Sequence, residues 1–185
     1  MANIFITSDQ HYGHANCLNF VQGDGSPFRP FSSVEEMDET IIQNHNSVVK
    51  QSDKIYFLGD VVMNTKQLDR VMPRLNGDIV LIKGNHCVGK LSKFTAHFRD
   101  IRAYHVMDKI LLAHIPVHPE SLSRWKGQIH GHLHHNTITE PVYEYGNVVC
   151  MRDDPRYLNV CVEKTNYTPI SFEECRDYFN KLNQE

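Results

Sequence analysis

Five short apolar runs in this chain each end in a small polar cluster, and this recurrence constrains the fold more than any other feature. Residues 3–7 lead to Asp9-Gln10-His11, residues 54–58 to Gly59-Asp60, and residues 78–83 to Gly84-Asn85-His86. Residues 109–113 lead to His114, and the run from Gln128 leads to Gly131-His132-Leu133-His134. Short apolar runs bounded by turn residues read as buried strands. Helical signals lie between them. Ser33-Val34-Glu35-Glu36 has the form of a capping box. Met37, Ile41, Ile42, His45, Val48 and Val49 then recur at three- and four-residue steps, which predicts a helix to about residue 51. Residues 65–75 predict a second helix, stopped by Asn76-Gly77. Residues 101–106 and 109–113 read as a hairpin around Met107-Asp108. Residues 147–150 and 158–163 read as strands, and Ser171-Phe172-Glu173-Glu174 caps a final helix to about residue 182. The order is βαβαβ, then mostly β, then a helix. It predicts a mixed α/β architecture with two sheets packed face to face. In such folds ligand sites form beyond the carboxyl ends of strands, where the polar clusters fall.

The chain has 185 residues and 41% hydrophobic content, which suits one domain over residues 1–185 with a real core. A net charge of −3 argues against a general polyanion binder, although a bound cation would still draw phosphate locally. No apolar run reaches the roughly 18 residues of a membrane span, and the start lacks the basic region of a secretory signal. The five cysteines are odd in number and include no Cys-x-x-Cys pair. That pattern predicts a reduced, cytoplasmic chain without a disulfide framework or thiolate zinc site. Twelve histidines are the compositional excess, and they point to metals, acid–base chemistry, or both.

Singly, each cluster has a bland reading. Asp-x-His is a loop, Gly-Asp is a turn, and His114 is a core histidine bonded to backbone. The ordered set reverses that reading, because every member sits at a strand end. Its carboxylate, amide and imidazole donors suit divalent first-row metals, and they exceed what one tetrahedral ion needs. A carboxylate shared between two ions uses them economically. The turn holding His130, His132, His134 and His135 offers two His-x-His registers, and spacing alone does not choose between them.

The ordered set resembles the calcineurin-like metallophosphoesterase superfamily, whose pattern is D-x-H, G-D, G-N-H, H and G-H-x-H. The motif match runs from Asp9 to His134. His11-Tyr12-Gly13-His14-Ala15-Asn16, the stretch from Arg29 to Met37 and the stretch from Asn159 to Ser171 resemble its small, cap-less bacterial and phage branch. The resemblance implies a four-layer αββα sandwich of two mixed sheets flanked by helices. It implies Asp9, His11 and His134 around one metal, Asn85, His114 and His132 around a second, and Asp60 bridging them. Gly131 then sets the His132/His134 register, leaving His130 in the core and His135 exposed.

In the same reading His86 is catalytic, sitting over the substrate phosphate and assisting the leaving oxygen. The superfamily usually carries an acid after this histidine, whereas this chain has Cys87, which reads as small buried filler. His14 and Arg29 are candidate substrate-phosphate contacts. Arg152 and Arg156 read as solvated, and Trp125 as a packing residue. The implied activity is phosphodiester hydrolysis by a metal-bridging hydroxide. Phosphomonoesterase or protein phosphatase activity is the alternative, with a non-catalytic scaffold after it. The implied cofactors are two divalent ions, Mn2+ foremost, with Fe, Zn, Ni or Co also suited to the donors. The implied partner is a phosphoester, either a small molecule or a nucleic-acid end, with neither membrane nor protein partner. Residues 13–32 and 140–156 are expected to border the site.

Overall fold

The computed structural model describes residues 2–182. In chain order its elements are β1 (Ile4–Thr7), α1 (Val34–Val48), β2 (Lys54–Phe57), α2 (Lys66–Val71), β3 (Asp78–Ile82) and α3 (Leu91–Thr95). They continue with β4 (Asp100–Arg102), β5 (His105–Met107), β6 (Ile110–Leu112), β7 (Gly127–His130), β8 (Thr139–Glu144) and β9 (Asn147–Asp153). The chain closes with β10 (Tyr157–Asn159), β11 (Ile170–Ser171) and α4 (Phe172–Leu182). One sheet has the order β11-β1-β2-β3-β4, parallel except for β11. A second has the order β10-β7-β6-β5, parallel except for β5. The architecture is thus α/β with two mixed sheets, as the apolar runs predict.

Helix α1 forms where its capping signal lies, with Ser33 Oγ accepting the Glu36 N–H at 3.0 Å. The Glu36 carboxylate reaches back one residue further than a standard box and takes the Ser32 N–H. At α4 the box closes reciprocally, Ser171 and Glu174 each accepting the other's backbone N–H. Met37, Ile41 and Ile42 of α1 pack on Phe5, Phe57 and Leu81 of the first sheet. Ile6, Tyr56, Leu58, Val80 and Ile82 face the other way, onto Ile110, Leu112 and Ile129 of the second sheet and onto Phe172, Cys175 and Phe179 of α4. Gly127 leaves the room that Phe179 fills, since a Cβ there would lie 2.3 Å from its ring. Removing so large a buried ring costs about 3–5 kcal/mol. The outer side of the second sheet is covered thinly. Leu111, Ala113 and Tyr157 pack under Leu122 and Trp125, which belong to the 3-10 turn Pro119–Leu122 and the loop after it.

Four elements differ from their sequence expectations. The strand expected over 158–163 ends at Asn159, as β10, and gives way to an isolated bridge at Cys161 and a turn. The helix expected over 65–75 is α2 followed by a 3-10 turn, Met72–Arg74, because Pro73 has no N–H with which to continue an α-helix. The strand expected over 101–106 is two strands in two sheets. Ile82 pairs with Arg102 in the first, while His105 pairs with Leu112 in the second, so the chain crosses between sheets at Ala103-Tyr104. The strand at 147–150 is half of a hairpin in which β8 and β9 pair only with each other. Its turn, Tyr145-Gly146, has positive φ at both positions (49° and 84°), the requirement of a type I′ hairpin turn. Tyr143, Tyr145, Val148, Val149 and Met151 are all exposed on it.

All five cysteines are free, with Cys17, Cys87, Cys161 and Cys175 buried and Cys150 exposed on β9. Among the described residues no helix is long and apolar enough to cross a membrane.

Candidate metal centre

Parallel strands bring their carboxyl ends to one edge. Asp9, Asp60 and Asn85 follow β1, β2 and β3, while His114 and the His132/His134 pair follow β6 and β7. A parallel bridge between Ser8 and Cys161 joins the two sheets at this edge. Five of the seven expected ligands hold left-handed backbone: Asp9 (φ 60°), His11 (50°), Asp60 (49°), His132 (69°) and His134 (51°). Non-glycine residues enter this region at a cost, and such strain concentrates at functional sites. Two glycines make the close approach possible. A Cβ on Gly131 would lie 2.2 Å from Asp9 Oδ2, and one on Gly84 would lie 2.2 Å from Asp60 Oδ1.

Asp9 presents one oxygen to the protein and one to the site. Its Oδ2 accepts from Ser8 Oγ (2.5 Å), the His132 N–H (2.8 Å) and Cys161 Sγ (3.3 Å). Its Oδ1 is buried without a hydrogen-bond partner, as are both ring nitrogens of His11. His11 Nε2 and His134 Nε2 lie 3.7 and 3.8 Å from that oxygen. Those separations are too long for hydrogen bonds. They are close to the roughly 3–3.6 Å expected between donors that each stand about 2.1 Å from one ion. The donor set of Asp9, His11 and His134 therefore fits a divalent ion, and Asp9 Oδ1 and His11 Nε2 are the orphaned atoms that such an ion would satisfy. The same edge gathers Asp9, Asp60 and His114.

His114 is oriented from behind. Its Nδ1 donates to the Leu58 carbonyl at 2.6 Å, so Nε2 points into the site, 2.7 Å from Asn85 Oδ1 and 3.3 Å from Asp60 Oδ2. Two oxygens converging on one imidazole nitrogen call for a cation or a proton between them. Asp60 Oδ1 accepts the His86 N–H at 2.8 Å. The His132 ring stands 5.1 Å from that of His114, on the same side of the cluster.

The charges respond to one another. Burial pushes the Asp9 carboxyl upward, but the rings of His11, His114 and His134 and the Ser8 hydroxyl outweigh it and hold it far below the usual carboxylate range. Asp60 is likewise depressed, burial being outweighed chiefly by His114. His114 is raised, because its bond to Asp60 and the Asp9 charge overcome burial. Burial lowers His11 and His132, which keeps their nitrogens unprotonated as metal ligation requires.

The other expected site residues divide. His86 is exposed, and its ring lies 5.8 Å from His11. His14 lies 5.7 Å from His11 on the same rim, with Nδ1 3.2 Å from Cys17 Sγ. Arg29 is not available to a substrate phosphate, contrary to expectation. It is 1% exposed, and its guanidinium is bound to the carbonyls of Asp9 and Gln10 and to Glu163. Arg152 pairs with Glu140, and Arg156 with Asp154. Cys87 is buried in the same core cluster as Leu68 and Val71 of α2, and burial raises its thiol, which fits a space-filling residue. His130 is a core histidine donating to the Gly131 carbonyl. His135 is half-buried instead of exposed, donating to the Phe28 carbonyl. Residues 13–32 do border the site: the Phe28 ring lies 5.0 Å from that of His134. Among the described residues no hydrogen bond or ion pair of the β8–β9 hairpin reaches a ligand.

Glu163 escaped the sequence reading. Its buried side chain accepts from His134 Nδ1 at 3.2 Å and from Arg29 at 2.5 Å. Its carboxyl is depressed, His134 and Arg29 outweighing burial. No local pattern marks it, because its partners are remote in sequence.

Fold and edge cluster together define a two-sheet α/β protein with a buried carboxylate–histidine centre at the shared carboxyl edge. No family model matches the chain. It is 38% identical over 176 residues to the uncharacterized protein MJ1445 of Methanocaldococcus jannaschii, covering 94% of this chain and 89% of that one, and it belongs to the family of that protein. The protein of unknown function AQ665 from Aquifex aeolicus has the same fold, with a TM-score of 0.67 at 24% identity over 96% of this chain and 99% of that one.

Proposed function

We propose that this chain is a phosphoesterase working with two divalent metal ions, as in the calcineurin-like superfamily it resembles, and that its substrates are phosphodiesters. The observation that carries the reading is unmet bonding capacity at one point. Asp9 Oδ1 and both nitrogens of His11 are buried without partners where five strand ends converge. Buried polar atoms in folded proteins are usually satisfied. Gln10, Tyr12, Glu163 and Thr165 each carry an unpartnered buried atom as well. Among the described residues, only at Asp9 Oδ1 and His11 Nε2 do two such atoms face a third donor, His134 Nε2, at ligand spacing. Asp9, His11 and His134 would hold one ion, Asn85, His114 and His132 the other, and Asp60 would serve both. Mixed oxygen and nitrogen donors accept Mn2+, Fe2+, Co2+, Ni2+ or Zn2+, and the resemblance puts Mn2+ foremost. When bound, the ions supply Lewis acidity to the phosphoryl oxygens and acidify water for in-line attack.

The chain's own groups do the rest. The Leu58 carbonyl and Glu163 hold His114 and His134 with Nε2 inward. His86 stands on the solvent side of His11, where it delivers a proton to the departing alkoxide oxygen. His14 shares that rim and contacts a substrate oxygen. The exposure of Asn85 and His86 leaves room for both arms of a diester. Five free thiols fit the cytoplasm as its compartment.

The test is hydrolysis of a chromogenic phosphodiester beside its monoester, by chelator-stripped protein re-supplied with a panel of divalent ions. The reading expects metal-dependent cleavage favouring the diester. Faster monoester cleavage would make the chain a phosphatase, and inactivity of folded protein with every ion would remove the phosphoesterase reading.

A further inference from the structure

We infer that Arg29 and Glu163 form a buried positioning pair that presets the Asp9–His11–His134 side of the centre before any ion arrives. The inference rests on the metal-centre reading above and assigns Arg29 a task other than substrate binding. Arg29 Nη2 donates to the Asp9 carbonyl (2.6 Å) and Nη1 to the Gln10 carbonyl (2.7 Å). Its Nε and Nη2 both reach Glu163 Oε1, at 2.7 and 2.5 Å. The same oxygen accepts from His134 Nδ1 at 3.2 Å. One guanidinium and one carboxylate therefore join the loop after β1 to the turn after β7, by way of a residue beyond β10.

This arrangement does two things. A carboxylate can only accept, so Nδ1 of His134 carries the proton and the Nε2 lone pair is left facing Asp9. A carboxylate behind a ligating imidazole fixes its tautomer and ring orientation and raises its basicity. Meanwhile the guanidinium holds the backbone of Asp9 and Gln10 through a rigid planar fork that a lysine does not reproduce. Asp9 and His11 keep their left-handed backbone against its intrinsic cost, and the clamp lies directly across that segment. Neither side chain of the pair is exposed, so neither reaches substrate.

The test uses the full chain after chelation. Mn2+ binding is followed by calorimetry, and the His134 tautomer by ring-nitrogen NMR near pH 8 without metal. The His134 signal is assigned as the one lost in His134→Asn. Glu163→Gln is expected to weaken the tighter Mn2+ by about 10- to 100-fold, the usual effect of removing such a partner. It is also expected to release the Nδ1–H tautomer into a mixture. Removing one charge alone risks the fold, so the paired variant Arg29→Met/Glu163→Leu is the second arm. Replacing a buried ion pair by apolar residues of similar size is often neutral for folding. It is expected to melt near the wild type and show the same loss of affinity. Wild-type affinity and an unchanged tautomer in both variants would overturn the inference and leave the metal centre standing. A wild type that binds no Mn2+ would overturn the metal centre and the inference with it.

Discussion

On one side of the centre Asp9 and His11 are 0% and 4% exposed, and the backbone that carries them is clamped by Arg29. On the other side Asn85 and His86 stand in solvent and His132 is half-exposed. The buried side has its donors in place, with Asp9 Oδ1 and His11 Nε2 awaiting a ligand. On the open side the Asn85 oxygen is engaged by His114. The contrast separates two tasks. Pre-set donors favour tight, lasting occupancy, because little ordering entropy remains to be lost on binding. An exposed donor that must leave a partner binds more weakly and exchanges faster, and in the proposed function it lies on the side from which substrate would enter.

Four measurements break or sharpen this contrast, in order of expected size. Asp60→Asn removes the carboxylate common to both sides. It should lower kcat by about a thousandfold, comparable to losing a strong electrostatic stabiliser, and reduce metal content from two ions towards one. Wild-type turnover with two ions retained would mean the sides are independent. His11→Ala and Asn85→Ala should act on different ions, the first weakening the tighter and the second the weaker, each by more than the roughly 10- to 100-fold that losing an outer partner costs. Calorimetry showing both variants weakening the same ion would erase the distinction. His86→Ala should lower kcat by about a hundredfold, the low end for a general acid, with metal content unchanged. Loss of an ion in that variant would make His86 a ligand.

The smallest effect is on stability. Burial lowers the pKa of His11, His14, His45, His105, His130 and His132, so the unfolded chain binds protons there that the folded chain refuses. Their contribution is present above about pH 6.5 and is lost as pH falls below it. His114 is raised and works oppositely, adding stability below that pH and losing it as pH rises through its folded value. Six groups against one predict that chelated protein melts a few degrees lower at pH 5 than at pH 7. A higher midpoint at pH 5 would mean that His114 dominates.

Much of this centre was readable because its donors follow apolar runs directly. Each donor's position depends on a strand end a residue or more before it, and strand ends are local features. The glycines carried readable information too, since Gly131 and Gly84 are required by space next to Asp9 and Asp60. The Arg29–Glu163 pair was not readable. Arg29 reads as a loop cation and Glu163 as the end of a strand, and only the bridge between the sheets at Ser8 and Cys161 brings them together. The break at Ala103-Tyr104 was hidden for a similar reason. Both flanking segments look like strands, and nothing local says that they belong to different sheets. In the β8–β9 hairpin β9 is exposed along its whole length and only Glu140 and Val142 of β8 are half-buried, so most of it lacks the alternation that marks a half-buried strand.

That hairpin also gives the chain a ready conjugation handle. Cys150 stands exposed on β9, while burial keeps the thiols of Cys17, Cys87, Cys161 and Cys175 protonated and inaccessible, Cys175 being pushed up to about 12. A maleimide dye added to the native protein should therefore attach once, at Cys150, and the denatured chain should take up five. The tag would ride on a strand whose bonds do not reach the ligands, so a fluorophore can be installed without deleting a cysteine or disturbing the centre.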